Sequence, residues 1–172
     1  MKGAKKRKKK ETGYFFKNAR ALALLAKEES SKRNNITVIP VLFRDADGTV
    51  SSGKGKWQDK WQSVLDGFET EGMLNGIPMI PKPKSEAWIL CALREKYQNC
   101  KKLERESGND SSPNSLKKQL AKYLGEDATR ELVNKKVDEG QIDIEQIVDM
   151  PSLTKFKDQL DKVLDNLKLP KR

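Results

Sequence analysis

The stretch Ile36-Thr-Val-Ile-Pro-Val-Leu-Phe43-Arg-Asp-Ala-Asp-Gly48 decides how this chain is read. Its first eight residues are apolar or β-branched and form too short a run for a helix, so they predict a strand buried on both faces, as parallel sheets require. Pro40 would cost that strand a ladder hydrogen bond unless an edge or a bulge lies there. The segment from Arg44 to Gly48 ends the strand, and a Gly/Ser-rich loop follows through Gly55. On extended backbone, residues two apart point the same way, so Asp45 and Asp47 can face one side at the strand's carboxyl end. Open α/β sheets bind ligands at that end. Two carboxylates placed there repel unless a cation lies between them, and Mg²⁺ is the ordinary cellular choice. A polar turn accounts for the same residues, because Asp-Gly is a good loop former.

Upstream, Phe15, Ala19, Leu22 and Ala26 fall at helical spacing, with Phe16, Ala23 and Leu25 widening the stripe. They predict a helix from Tyr14 to Glu29. Downstream, Trp57, Trp61, Val64, Leu65 and Phe68 mark a second amphipathic helix. Gly76-Ile-Pro-Met-Ile-Pro81 predicts a second short strand. Ser85 is placed to N-cap a third helix carrying Trp88, Ile89, Cys91, Ala92 and Leu93. Helix, strand, helix, strand, helix is the order of an α/β layer with parallel strands.

Beyond a polar connector over residues 98–114, only helical patterns recur. They are Leu116, Leu120, Tyr123 and Leu124; then Ala128, Leu132 and Val133; then Leu153, Phe156, Leu160, Val163, Leu164 and Leu167. The class of Ile142 to Val148 stays open. The expected organisation is a basic tail over residues 1–11, an α/β core over 12–100, and an all-helical C-terminal extension over 101–172 packed on the core.

Composition narrows the chemistry. The chain has 172 residues, 35% of them hydrophobic and 35% charged, and no histidine. Without histidine, Ser-His-Asp and Cys-His machinery are excluded. The two cysteines cannot assemble the usual four-ligand zinc sites alone. Chemistry carried by this chain must use carboxylates, lysines, hydroxyls or a hard cation held by oxygen. Cys91 and Cys100 argue for a reducing compartment and against a disulfide framework. No apolar run is long enough to span a bilayer, and none of signal-peptide type follows the basic N-terminus. A cytoplasmic protein without a membrane partner is expected.

Of the net charge of +10, seven cations among residues 2 to 10 (Lys2, Lys5, Lys6, Arg7, Lys8, Lys9 and Lys10) supply +7, leaving +3 for the rest. Such a run either stays solvated or contacts a polyanion such as nucleic acid.

A strand ending in Asp-x-Asp-Gly, then helix, strand and Pro81-Lys-Pro-Lys-Ser-Glu-Ala-Trp88, resembles the Toprim (topoisomerase–primase) fold. More narrowly, it resembles small uncharacterised prokaryotic Toprim-like proteins linked to mobile elements and phage defence. Their helical tail is similar to Ser112-Pro-Asn-Ser-Leu-Lys-Lys118 and Met150-Pro-Ser-Leu-x-x-Phe156, so the similarity covers residues 36 to 167. The resemblance implies that Asp45 and Asp47 bind Mg²⁺ or Mn²⁺, with Glu86 as a further ligand or water-holder, in support of phosphodiester chemistry. Position alone gives Glu86 another role, as a first-turn glutamate complementing the helix dipole. Lys82 and Lys84 would meet a phosphate or stay solvated, and Trp88 reads as core.

One departure stands out. Toprim enzymes carry a glutamate at the end of a first hydrophobic strand, where this chain has the Lys8-Lys-Lys10 run. The opening strand is therefore expected to be missing, to be supplied by a protein partner or self-association, or to leave the domain inactive. The leading expectation is a Mg²⁺-dependent nuclease domain or subunit acting on nucleic acid. The alternatives are a non-catalytic nucleic-acid-binding or assembly subunit, contacting phosphates through Lys5, Lys6, Arg7, Lys8, Lys9, Lys10, Lys82 and Lys84, and a protein-interaction scaffold.

Overall fold

The computed structural model describes residues 13–46, 56–93, 99–143, 145 and 147–168. The chain runs α1 (Gly13–Lys32), β1 (Val41–Phe43), α2 (Trp57–Thr70), β2 (Ile77–Met79), α3 (Ser85–Ala92), α4 (Cys100–Leu103), α5 (Leu116–Leu124), α6 (Arg130–Asp138) and α7 (Pro151–Asn166). Among the described residues this is an α/β fold of seven helices and a two-stranded parallel sheet. The basic tail, with Lys5, Lys6, Arg7, Lys8, Lys9 and Lys10, lies outside the described residues.

The sheet is a β1–α2–β2 unit with Val41 opposite Ile77 and Phe43 opposite Met79. Parallel strands need a crossover, and α2 provides it. β2 is the covered strand: Ile77, Pro78, Ile80 and Pro81 are fully buried. β1 differs from its sequence reading. Only three residues of the apolar run from Ile36 to Phe43 are strand, and Ile36, Val41 and Phe43 are 46%, 41% and 52% exposed. Helices do not cover the run on both faces. The Pro40 carbonyl accepts from Ile77 N–H, and the N–H groups of Arg44 and Ala46 donate to Met79 and Pro81. Backbone groups alternate between the two sides of a strand, so those of Val41 and Phe43 point to the open edge. Pro40 sits at the start of the ladder, where a missing N–H costs least.

Phe15, Ala19, Ala23 and Ala26 form the buried stripe of α1, and Trp61, Val64 and Phe68 that of α2. Leu25 is 60% exposed, not part of the α1 stripe. The two helices pack closely because Gly67 has no side chain: a Cβ there would stand 2.5 Å from the Phe16 carbonyl oxygen and 2.8 Å from the Ala19 Cβ. These helices, with Ala46 and Ile80, form one hydrophobic cluster.

A second cluster joins Trp88, Leu90 and Cys91 of α3 to Leu103, Leu116, Leu120, Met150 and Leu153. Phe156 of α7 packs against both clusters and lies with its ring centroid 6.3 Å from that of Trp88. Trp88 is core as expected, and its indole N–H donates to the buried Ser152 hydroxyl at 2.9 Å. Ser152 N–H in turn donates to the buried Glu104 carboxylate at 2.6 Å, satisfying one orphan donor of the α7 N-terminus.

The connector expected over 98–114 contains the short helix α4. The segment left open, Ile142 to Val148, is irregular in its described residues apart from one 3₁₀ position at Glu145. Contrary to the expectation drawn from cysteine count, Cys91 and Cys100 are joined in a disulfide with Cα atoms 5.4 Å apart. Among the described residues, no helix is long and apolar enough to cross a membrane.

Candidate functional site

The carboxyl end of β1 meets the amino end of α3. Asp45 follows the strand by two residues, and its Oδ1 accepts the backbone N–H of Ser85 at 2.8 Å. Ser85 is the first residue of α3 rather than its cap. The extended Lys84 occupies the N-cap position without a side-chain cap, so Asp45, forty residues upstream, satisfies a donor the local sequence leaves unpaired. Burial pushes the Asp45 carboxyl above its usual range, and hydrogen bonds from Ser85 and the nearby charge of Lys84 only partly offset this.

Lys84 is the centre of the cluster. Its ammonium lies 2.7 Å from Asp110 Oδ1, with the lysine side chain 13% and the aspartate side chain 53% exposed. Burial alone would lower the lysine. The hydrogen bond and charge of Asp110, joined by the charges of Glu86 and Asp45, outweigh burial and hold Lys84 above its ordinary value. Glu86 stands in the first turn of α3, where the helix dipole favours a carboxylate. Its Oε2 is buried without a hydrogen-bond partner among the described residues.

Asp45 is thus bonded to the first residue of the helix that carries Glu86, and the charges of Asp45 and Glu86 both act on Lys84. Lys82 is half-buried two residues upstream of Lys84. Asp47 lies outside the described residues, so the Asp45–Asp47 pairing does too. Among the described residues, the three-residue group whose cysteine and carboxylate atoms lie close together is Cys91, Cys100 and Asp149, with the two sulfurs joined in the disulfide.

Other charged side chains reach the same end of β1 without being marked by the sequence. Lys60 is only 4% exposed, donates to the Ala46 carbonyl, and lies 5.8 Å from the Phe15 ring centroid. Arg44 stacks over Phe15 and Tyr14, at 5.3 and 5.7 Å. Their roles depend on packing: Lys60, three residues after Trp57 and four before Val64, borders the apolar stripe of α2 and is buried where it meets Phe15 and the Ala46 carbonyl. Asp110 sits in a turn-rich connector, and nothing local to it marks a partner 26 residues away.

No family model matches this chain, and no curated protein or solved structure matches it.

Proposed function

We propose that this chain is a Toprim-like module acting on nucleic acid, with the carboxyl end of β1 as its working end and Asp45, Asp47 and Glu86 as its acidic residues. The observation that carries the reading is the hydrogen bond from Ser85 N–H to Asp45 Oδ1, which ties the end of a parallel strand to the start, forty residues later, of the helix that carries Glu86. Ligands of α/β sheets sit at this position. The residues fit a hard cation in donor type. Asp45 is a carboxylate held above its usual range by burial, and Glu86 has a buried oxygen lacking a partner. A bound Mg²⁺ or Mn²⁺ would supply charge stabilisation to a phosphodiester. The chain's own residues would hold the ion through Asp45, Asp47 and Glu86 and meet a phosphate oxygen with Lys84 or Lys82.

The test is titration of the chain with Mn²⁺, read by calorimetry, alongside incubation with single- and double-stranded DNA and RNA. Loss of Mn²⁺ binding in Asp45→Asn, with weaker binding in Glu86→Gln, supports the reading. Equal affinity in wild type and both variants sinks it.

A second reading rests on Lys84. Its ammonium is paired with Asp110 and feels the charges of Glu86 and Asp45, so it offsets part of the acidic charge there, as suits a non-catalytic nucleic-acid-binding or assembly subunit. Salt-dependent binding to nucleic acid with neither Mn²⁺ uptake nor cleavage would favour it. In both readings the exposed edge of β1, with apolar Val41 and Phe43 beside it, takes a further strand from a protein partner or a second copy.

A further inference from the structure

Away from the β1 end, the last turn of α3, the first residue of α4 and the residue before the N-cap of α7 bring Cys91, Cys100 and Asp149 together. One ligand atom from each lies within 4.8 Å of the others. Both cysteines are fully buried. Asp149 is half-exposed, yet its Oδ1 is buried with no hydrogen-bond partner among the described residues, a costly arrangement for a carboxylate that packing alone does not account for. Asp149 also lines an open cleft of about 690 Å³ together with Trp61, Lys101, Val148 and Lys155.

We propose that Cys91, Cys100 and Asp149 are a redox-gated site for a thiophilic divalent ion of the Zn²⁺ class, closed when the cysteines are oxidised and open when they are reduced. With Zn–S near 2.3 Å and Zn–O near 2.0–2.2 Å, neighbouring donors of a tetrahedral site stand about 3.5–3.8 Å apart. Once the sulfur–sulfur bond is cleaved, the two sulfurs must part from about 2.0 Å to about 3.8 Å, while the carboxylate oxygen already lies within 4.8 Å of both. Two thiolates and one carboxylate make a three-ligand site, not the closed four-ligand kind that the composition rules out. Its fourth position belongs to water or an exchangeable ligand. Asp149 faces the cleft, so that position opens there, with Lys101 and Lys155 on its walls to favour an anionic ligand. Soft sulfur donors select Zn²⁺ over Mg²⁺, which separates this site chemically from the carboxylates at the end of β1.

The steps balance. A phosphine reductant takes the disulfide and one water to two thiols and a phosphine oxide. The two thiols then bind the metal dication as thiolates and release two protons.

The test uses the 172-residue chain, reduced with a phosphine and freed of metal, and titrated with Co²⁺ as a spectroscopic stand-in for Zn²⁺. The expected result is one equivalent of Co²⁺ bound per chain, with a near-ultraviolet thiolate-to-cobalt band and visible bands of tetrahedral intensity. Zn²⁺ should displace the Co²⁺, and binding should release two protons per ion. The unreduced chain should show no band, Cys100→Ser should abolish it, and Asp149→Asn should weaken affinity tenfold or more. A reduced wild-type chain with no charge-transfer band overturns the proposal. So does saturation at half an equivalent, which would mean a site shared between two chains, or an Asp149→Asn variant that binds as tightly as wild type. Mn²⁺ titration of the unreduced chain reports only on the Asp45 cluster, so the two readings stand or fall separately.

Discussion

Replacing Lys84 with methionine removes the ammonium at the centre of the acidic cluster and keeps most of the apolar stem. Removing one partner of a fully buried pair costs about 3–5 kcal/mol, whereas an exposed pair contributes about 0–1 kcal/mol. The Lys84–Asp110 pair lies between these limits, with one side chain 13% and the other 53% exposed. Solvent screening at Asp110 places the expected loss at about 1–2 kcal/mol at neutral pH. With a urea slope of about 2 kcal/mol per molar, the midpoint should fall by about 0.5–1 M. The deficit should depend on pH with a definite sign. Burial holds the Asp45 carboxyl above its ordinary value against the pull of Lys84, so removing Lys84 raises it further. The part of the loss that comes from Asp45 diminishes as pH falls through the raised folded value of that carboxyl, where it takes up its proton. On the alkaline side, Lys84 is held above its ordinary value despite its burial. Its contribution is therefore complete below the unfolded lysine value and disappears as pH rises through the folded one. Urea titrations of both proteins across this range decide the matter. A deficit that does not change with pH anywhere across this range would mean that the variant is destabilised through packing, not charge pairing, and would refute the electrostatic account of the cluster.

Asp45→Asn keeps an oxygen to accept the Ser85 N–H but removes a carboxylate that burial disfavours, so stability at neutral pH should be unchanged or higher by under about 1 kcal/mol. The wild type should gain stability as pH falls from the raised folded value of Asp45 to its unfolded value, and the variant should lack that gain in pH-dependent denaturation. Gly76→Ala would place a Cβ 2.3 Å from ring atoms of the buried Phe68. The overpacking should cost about 1–3 kcal/mol, read as a lower melting temperature. Deleting residues 2–10 should leave the melting temperature nearly unchanged. If the tail grips nucleic acid, its removal should flatten the slope of log K against log salt by roughly 0.7–0.9 for every phosphate it had neutralised.

Helix periodicity was the most legible part of this sequence. The stripes led by Phe15, Trp61 and Leu153 became α1, α2 and α7, because each repeats apolar residues often enough to define a face before any partner is known. The two apolar runs became paired parallel strands for a similar reason: β-branched and apolar residues between turn formers leave few other structures open. How much of the first run would be buried was not legible. Hydrophobicity says what a residue prefers, whereas cover depends on which elements pack there, and β1 is left with Ile36, Val41 and Phe43 exposed. Asp45 was marked by its place at a strand end and Glu86 by the resemblance to Toprim proteins. The hydrogen bond of Asp45 to Ser85, the pairing of Lys84 with Asp110, and the burial of Lys60 were decided by tertiary structure. The same holds for Cys91 and Cys100, whose number argued against a disulfide and whose positions on α3 and α4 made one. Each of these pairings joins residues that no local pattern relates. Charge pairing, desolvation and disulfide geometry depend on distances in space, and a sequence specifies those only through the packing of the whole chain.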